Sequence, residues 1–105
     1  MTYQTHNQIT IDTNLSSRKG IIECTHSELV RLFGPPMQVD AFKTDWEWSI
    51  RFSDGSKATI YNWKNGPNYC GEDGYQADQI LEWHVGGYCP CVVVKIRSLL
   101  VGGAV

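Results

Sequence analysis

The side chains able to do chemistry fall into three groups. Cys24, Cys70, Cys89 and Cys91, with His84 and His26, are potential metal ligands. Glu72 and Asp73, in the stretch Gly71-Glu72-Asp73-Gly74, and His84 beyond them are potential acid–base partners. Trp46, Trp48, Tyr61 and Trp63, followed by Tyr69, are rings that can anchor a protein partner or stack on a base.

Each group implies a different function. Compact zinc sites draw on cysteine pairs two to four residues apart, and Cys89-Pro90-Cys91 is tighter than that while Cys24 and Cys70 are isolated. We therefore expect no metal and no other cofactor, and read the four cysteines as free, buried thiols. A general base needs a partner within hydrogen-bond reach, and no spacing here enforces one. Nucleophile-elbow, zinc-protease and phosphate-loop motifs are missing, and the Glu72-Asp73 loop has the wrong sign to hold phosphate. A small enzyme using His84 and this loop stays an alternative, with no catalytic residue assigned. The rings are the surplus: four Trp and five Tyr in 105 residues exceed what one small core needs.

Composition narrows the classes further. Nine Lys and Arg against eleven Asp and Glu give −2, so the basic field of a duplex-DNA binder is absent. Weak overall charge also argues against phosphate mimicry as a means of obstructing a nucleic-acid enzyme. The 42% hydrophobic content suits a folded domain, and no apolar run suggests a membrane span. The polar start, Met1 to Asn7, lacks the basic and apolar regions of a secretory signal, so a cytoplasmic protein is expected.

The elements that must position these residues are read from periodicity. Residues 1–8 read as a flexible arm, 9–101 as one domain and 102–105 as a tail. Ile9 and Ile11 alternate with polar neighbours as in a short strand, and 20–24 reads as a second. Thr25-His26-Ser27-Glu28 has the form of a capping box, opening a helix that Gly34-Pro35-Pro36 stops. Residues 37–44 read as loop. Asp45–Phe52 alternates strongly, with Trp46, Trp48, Ile50 and Phe52 on one face, and Lys57–Trp63 returns after Asp54-Gly55. A two-residue turn there would set Arg51 opposite Ala58, Ser49 opposite Ile60, Trp48 opposite Tyr61 and Trp46 opposite Trp63. Four rings would then share one face. Residues 80–85 read as a strand broken by Gly86-Gly87, and 92–100 as a helix. The sum is an α+β domain: an antiparallel sheet of four to five strands with two helices packed on one side.

The segment 47–66, EWSIRFSDGSKATIYNWKNG, resembles a small domain encoded in bacteriophage genomes. The similarity reaches from Glu28-Leu29-Val30-Arg31-Leu32-Phe33-Gly34 to Glu82-Trp83-His84-Val85-Gly86-Gly87 and leaves out Cys89-Pro90-Cys91. It implies a viral accessory protein that interferes with a host process such as antiviral defence, and it implies no catalytic residue.

The leading expectation is thus a non-enzymatic inhibitor that binds a host protein. The alternative is a nucleotide-sequestering protein, with hairpin rings stacking on a base and Arg51 or Lys64 meeting phosphate. The residues expected at the binding surface are Trp63, Tyr69, Arg51, Lys64, Glu72, Asp73 and His84. Duplex nucleic acid and membrane are not expected partners, and self-association is left open.

Overall fold

A computed structural model describes residues 2–102. The tail expected at 102–105 lies, beyond Gly102, outside the described residues. The chain is an α+β domain whose antiparallel sheet has six strands: β1 (Tyr3–Thr5), β2 (Ser17–Glu23), β3 (Met37–Ala41), β4 (Thr44–Phe52), β5 (Lys57–Tyr61) and β6 (Glu82–Gly87). The main path runs β1-β4-β5-β6-β2. Strand β3 pairs with β4 as well, along 44–47, while β1 takes 50–52. His6 fills the gap between them: its N–H donates to the Ser49 carbonyl (3.0 Å) and its Nδ1 accepts from the Ser49 N–H (3.3 Å).

Helix α1 (His26–Phe33) begins with the expected capping box. The Thr25 hydroxyl accepts from the Glu28 N–H (3.2 Å) and Glu28 Oε1 accepts from the Thr25 N–H (3.0 Å). The Thr25 N–H and the Thr25 hydroxyl (3.1 Å), both donating to Glu28 Oε1, hold the Glu28 carboxyl below its ordinary range. Gly34 ends the helix at φ +79°, a conformation glycine adopts without steric cost. Helix α2 (Pro67–Cys70) is a single turn, and α3 (Cys91–Leu100) closes the fold. Helices α1 and α3 cover one face of the sheet, where Leu29, Phe33, Val92 and Ile96 meet Trp48, Ile50, Ile60, Trp83 and Val85. No helix among the described residues is long and apolar enough to cross a membrane.

Several expectations need correction. The arm at 1–8 contains β1, too short and polar to show periodicity. Residues 9–14 form no strand: leaving β1 at one edge and reaching β2 at the other, they cross the sheet as a strap. Lys57 Nζ donates to the Asp12 carbonyl (3.0 Å) and the Tyr88 hydroxyl to that of Asn14 (2.5 Å), occupying strap carbonyls with side chains. The loop expected at 37–44 contains β3. Gly86 and Gly87 extend β6 instead of breaking it, because β5 and β2 flank them. A Cβ on Gly87 would lie 2.9 Å from the Lys57 carbonyl and 3.0 Å from Val92, so this glycine permits close packing.

The hairpin register also differs. Its loop has three residues, 53–55: the Phe52 N–H donates to the Ser56 carbonyl (2.8 Å) and the Gly55 N–H to the Phe52 carbonyl (2.9 Å). Gly55 sits at φ +88°, the left-handed position of a turn plus bulge. Trp48 therefore faces Ile60, Ser49 faces Thr59 and Glu47 faces Tyr61. One residue of slip moves Tyr61 to the other side of the sheet. Trp46 and Trp48 face the helices; Tyr61 and Trp63 meet His84 on the opposite side. The four-ring cluster is two separate groups.

The cysteines are corrected too. Cys89 and Cys91 are joined as a disulfide, Cys70 is exposed, and only Cys24 is both free and buried. Burial, with a smaller contribution from Glu28, pushes the Cys24 thiol up to about 12.

Candidate functional site

The site is built on the sheet face away from the helices. Along β4 this face presents Glu47, Ser49 and Arg51; along β5, Lys57, Thr59 and Tyr61; along β6, His84 and the bare backbone of Gly86. The strap roofs part of it, leaving two hollows that share Glu47 and Thr13. One, of about 580 Å³, lies over Ser49 beneath residues 6–11. The other, of about 260 Å³, is walled by Glu47, Thr59, Tyr61 and Trp63 and floored by Gly86.

Tyr61, Trp63 and His84 form an aromatic group at the rim. The Trp63 and His84 rings stack with centroids 6.1 Å apart, and Tyr61 meets both edge-on at 5.6 and 6.1 Å. Burial, reinforced by Arg18 and opposed by Glu82, pushes the His84 imidazole below its ordinary range, so it is neutral at pH 7. Burial also raises the Tyr61 phenol, with Arg18 opposing and Glu47 adding. Lys43 Nζ lies 5.4 Å from the Trp63 ring centre and Lys64 Nζ 5.9 Å, within cation–π range.

Beyond Trp63 the surface turns a corner onto Tyr69 and Phe42, whose rings lie 5.1 Å apart, with Lys64 Nζ 5.8 Å from the Tyr69 ring. Phe42 is 68% exposed, Tyr69 41% and Trp63 40%. A polar network centred on the buried Asn62 and Asp45 supports these rings. Asn62, wholly buried, accepts on Oδ1 from the Asp45 and Trp46 N–H groups (2.8 and 3.0 Å) and donates to Asp45 Oδ1 (2.9 Å). Asp45 Oδ2 accepts from the Asn68 N–H (2.9 Å), and Asn68 Nδ2 donates to the Val39, Ala41 and Thr44 carbonyls. A Cβ at Gly66 would collide with the Asp45 carboxylate and the Asn62 amide. The segment Asn62-Trp63-Lys64-Asn65-Gly66-Pro67-Asn68 is thus a knot tied by its asparagine amides, with Asn62 buried and Trp63 and Lys64 exposed.

Of the residues expected at the binding surface, Trp63, Lys64, Tyr69 and His84 come together. Arg51 shares the face but stands apart, donating to Gln4 Oε1 (2.9 Å) beside the hairpin loop. Glu72 and Asp73 are exposed on the 3₁₀ turn Gly71–Asp73, with no hydrogen bond to His84. Glu47, Thr59, Tyr61, Phe42 and Lys43 were not among the expected site residues. Nothing local marks Glu47 or Thr59, which hold ordinary outward positions on their strands until the strap crosses them. No group of three or more His, Cys, Asp or Glu that could hold a metal ion occurs among the described residues. No protein-family model matches the chain, and no curated protein matches it.

Proposed function

We propose that this is a non-enzymatic binding protein that docks on another protein through the corner formed by Phe42, Trp63 and Tyr69. The observation that carries the reading is the exposure of three large rings, Phe42 on the β3–β4 turn, Trp63 after β5 and Tyr69 in α2, beside the network of Asn62, Asp45 and Asn68. Rings held rigid lose little entropy on binding, and Trp and Tyr are the types that dominate binding energy at interfaces. Lys43 and Lys64 make the corner locally basic in a chain of net charge −2. The matching partner surface is therefore acidic, with an apolar recess for a ring. The resemblance of 28–87 to phage-encoded domains supports taking that partner as a host defence protein, which the chain inhibits by occlusion.

Affinity capture from bacterial lysate with the wild-type chain and with Tyr69→Ala and Phe42→Ser variants tests this. The expected result is a protein retained by the wild type and lost from both variants, at unchanged melting temperature. Identical retention by all three chains would remove the corner from the account.

A further inference from the structure

We propose that the groove between Glu47, Thr59, Tyr61 and Trp63 binds a guanine nucleotide, with the base edge on Glu47 and the phosphate toward Lys43 and Lys64. The proposal is independent of the docking reading above, although the two surfaces meet at Trp63.

Glu47 is the starting point. It is partly buried, yet its carboxylate has no hydrogen bond and no ion pair among the described residues. A half-buried carboxylate without a partner gives up part of its hydration uncompensated. Burial accordingly lifts its pKa above the ordinary value. Two hydroxyls lie beside it on the same face. Ser49 is 3% exposed and Thr59 6%, and neither hydroxyl has a hydrogen-bond partner among the described residues. Three polar side chains on one sheet face, none bonded to a protein partner among the described residues and all opening into the hollows, offer contacts to polar ligand atoms.

The shape and the rim narrow the ligand. Gly86 lets Thr59 and Tyr61 pack directly over β6: a Cβ there would lie 2.5 Å from Thr59 Oγ1 and 3.5 Å from the Tyr61 ring. A flat ring entering the hollow would lie against the Tyr61 and Trp63 side chains that line it. Lys43 and Lys64 lie beside Trp63, a wall of the hollow, and Arg18 is near enough to act on both His84 and Tyr61. A positive rim disfavours a simple organic cation and attracts an anionic tail. The ligand therefore carries negative charge outside and hydrogen-bond donors within. Guanine offers two adjacent donors, N1–H and the 2-amino group, matching the two oxygens of one carboxylate. Adenine sets a lone pair at N1 against the carboxylate, and hypoxanthine keeps N1–H but lacks the amino group. Stacking on rings and reading of the base edge by a side chain is the usual chemistry of unpaired bases.

Calorimetric titration of the wild-type chain with GMP, IMP, AMP and guanosine tests the assignment. GMP should bind about tenfold or more tightly than AMP, with IMP between them. Glu47→Gln should lose about tenfold in GMP affinity while keeping the fold, and Thr59→Val should weaken it less. Lys43→Ala and Lys64→Ala should weaken GMP but not guanosine. Tyr69→Ala should leave GMP binding unchanged, which separates this site from the docking corner. No heat with GMP at millimolar concentration, or equal affinity for AMP and GMP, overturns the proposal. The nucleotide comparison uses the unaltered chain, so the test stands even where a variant fails to fold.

Discussion

Glu47 and Tyr61 are directly opposed on β4 and β5, side chains on the sheet face away from the helices, and the carboxylate has no cationic partner among the described residues. This pairing should cost stability in the free protein. A carboxyl whose folded pKa lies above its ordinary 4.5 binds more protons folded than unfolded, so its penalty is absent below about pH 4 and complete above the raised value. Glu47→Gln should therefore raise the melting temperature at pH 7 and lose that advantage as pH falls through the carboxylate range. Melts of both chains from pH 3.5 to 8 check the sign; a Gln variant less stable at pH 7 would mean that Glu47 has a structural partner.

The two tryptophan groups should respond differently to truncation. Trp48 is wholly buried, packs edge-on against Trp83 at 5.3 Å and donates from Nε1 to the Gly34 carbonyl (2.8 Å). Trp48→Ala should cost about 3–5 kcal/mol, a large part of the ~5–15 kcal/mol expected for such a domain. Trp63 is 40% exposed, so Trp63→Ala should keep the fold and lose binding. Urea unfolding of the two variants distinguishes them; similar large losses for both would make Trp63 a core residue.

The polar knot gives a third expectation. Removing the Asn62 amide orphans the Asp45 and Trp46 N–H groups and one oxygen of Asp45, each at about 1–3 kcal/mol. Asn62→Ala should therefore destabilise as severely as a core truncation, and hydrogen exchange should quicken at 45–46. A variant within about 0.5 kcal/mol of wild type would show that water replaces the amide.

Thiol chemistry offers a fourth. Cys70 is exposed, Cys24 is buried with its thiol held near 12, and Cys89 and Cys91 are paired. Alkylation of the native protein at pH 8 without reductant should modify Cys70 alone, as read by peptide mass mapping. Labelling of Cys24 at a comparable rate would place it at an accessible surface.

Much of the fold was legible because local chemistry and tertiary demand coincide. The capping box at Thr25 and Glu28, the stop at Gly34, the alternation along β4 and the helix after Pro90 all occur where the residues indicate. The failures have physical causes. Three residues suffice to make β1 once β4 offers an edge, and three show no periodicity. Asp54-Gly55 suits both a two-residue turn and the three-residue loop with Gly55 left-handed, and the choice sets which face Tyr61 joins. Of the site, Trp63, Lys64, Tyr69 and His84 were readable from ring type and position. Glu47 and Thr59 become site residues only when the strap crosses the sheet, a long-range event without local signal.

The claim that the corner is a docking surface is tested most directly by photo-crosslinking. A benzophenone side chain carried at the position of Tyr69 samples the corner, and the same group at the position of Leu81, 62% exposed outside the corner, is the control. Irradiated in bacterial lysate, the chain labelled at 69 should give one discrete protein adduct that excess unlabelled wild type abolishes, and the chain labelled at 81 should give none. No adduct from 69, or the same adduct from both positions, would contradict the account.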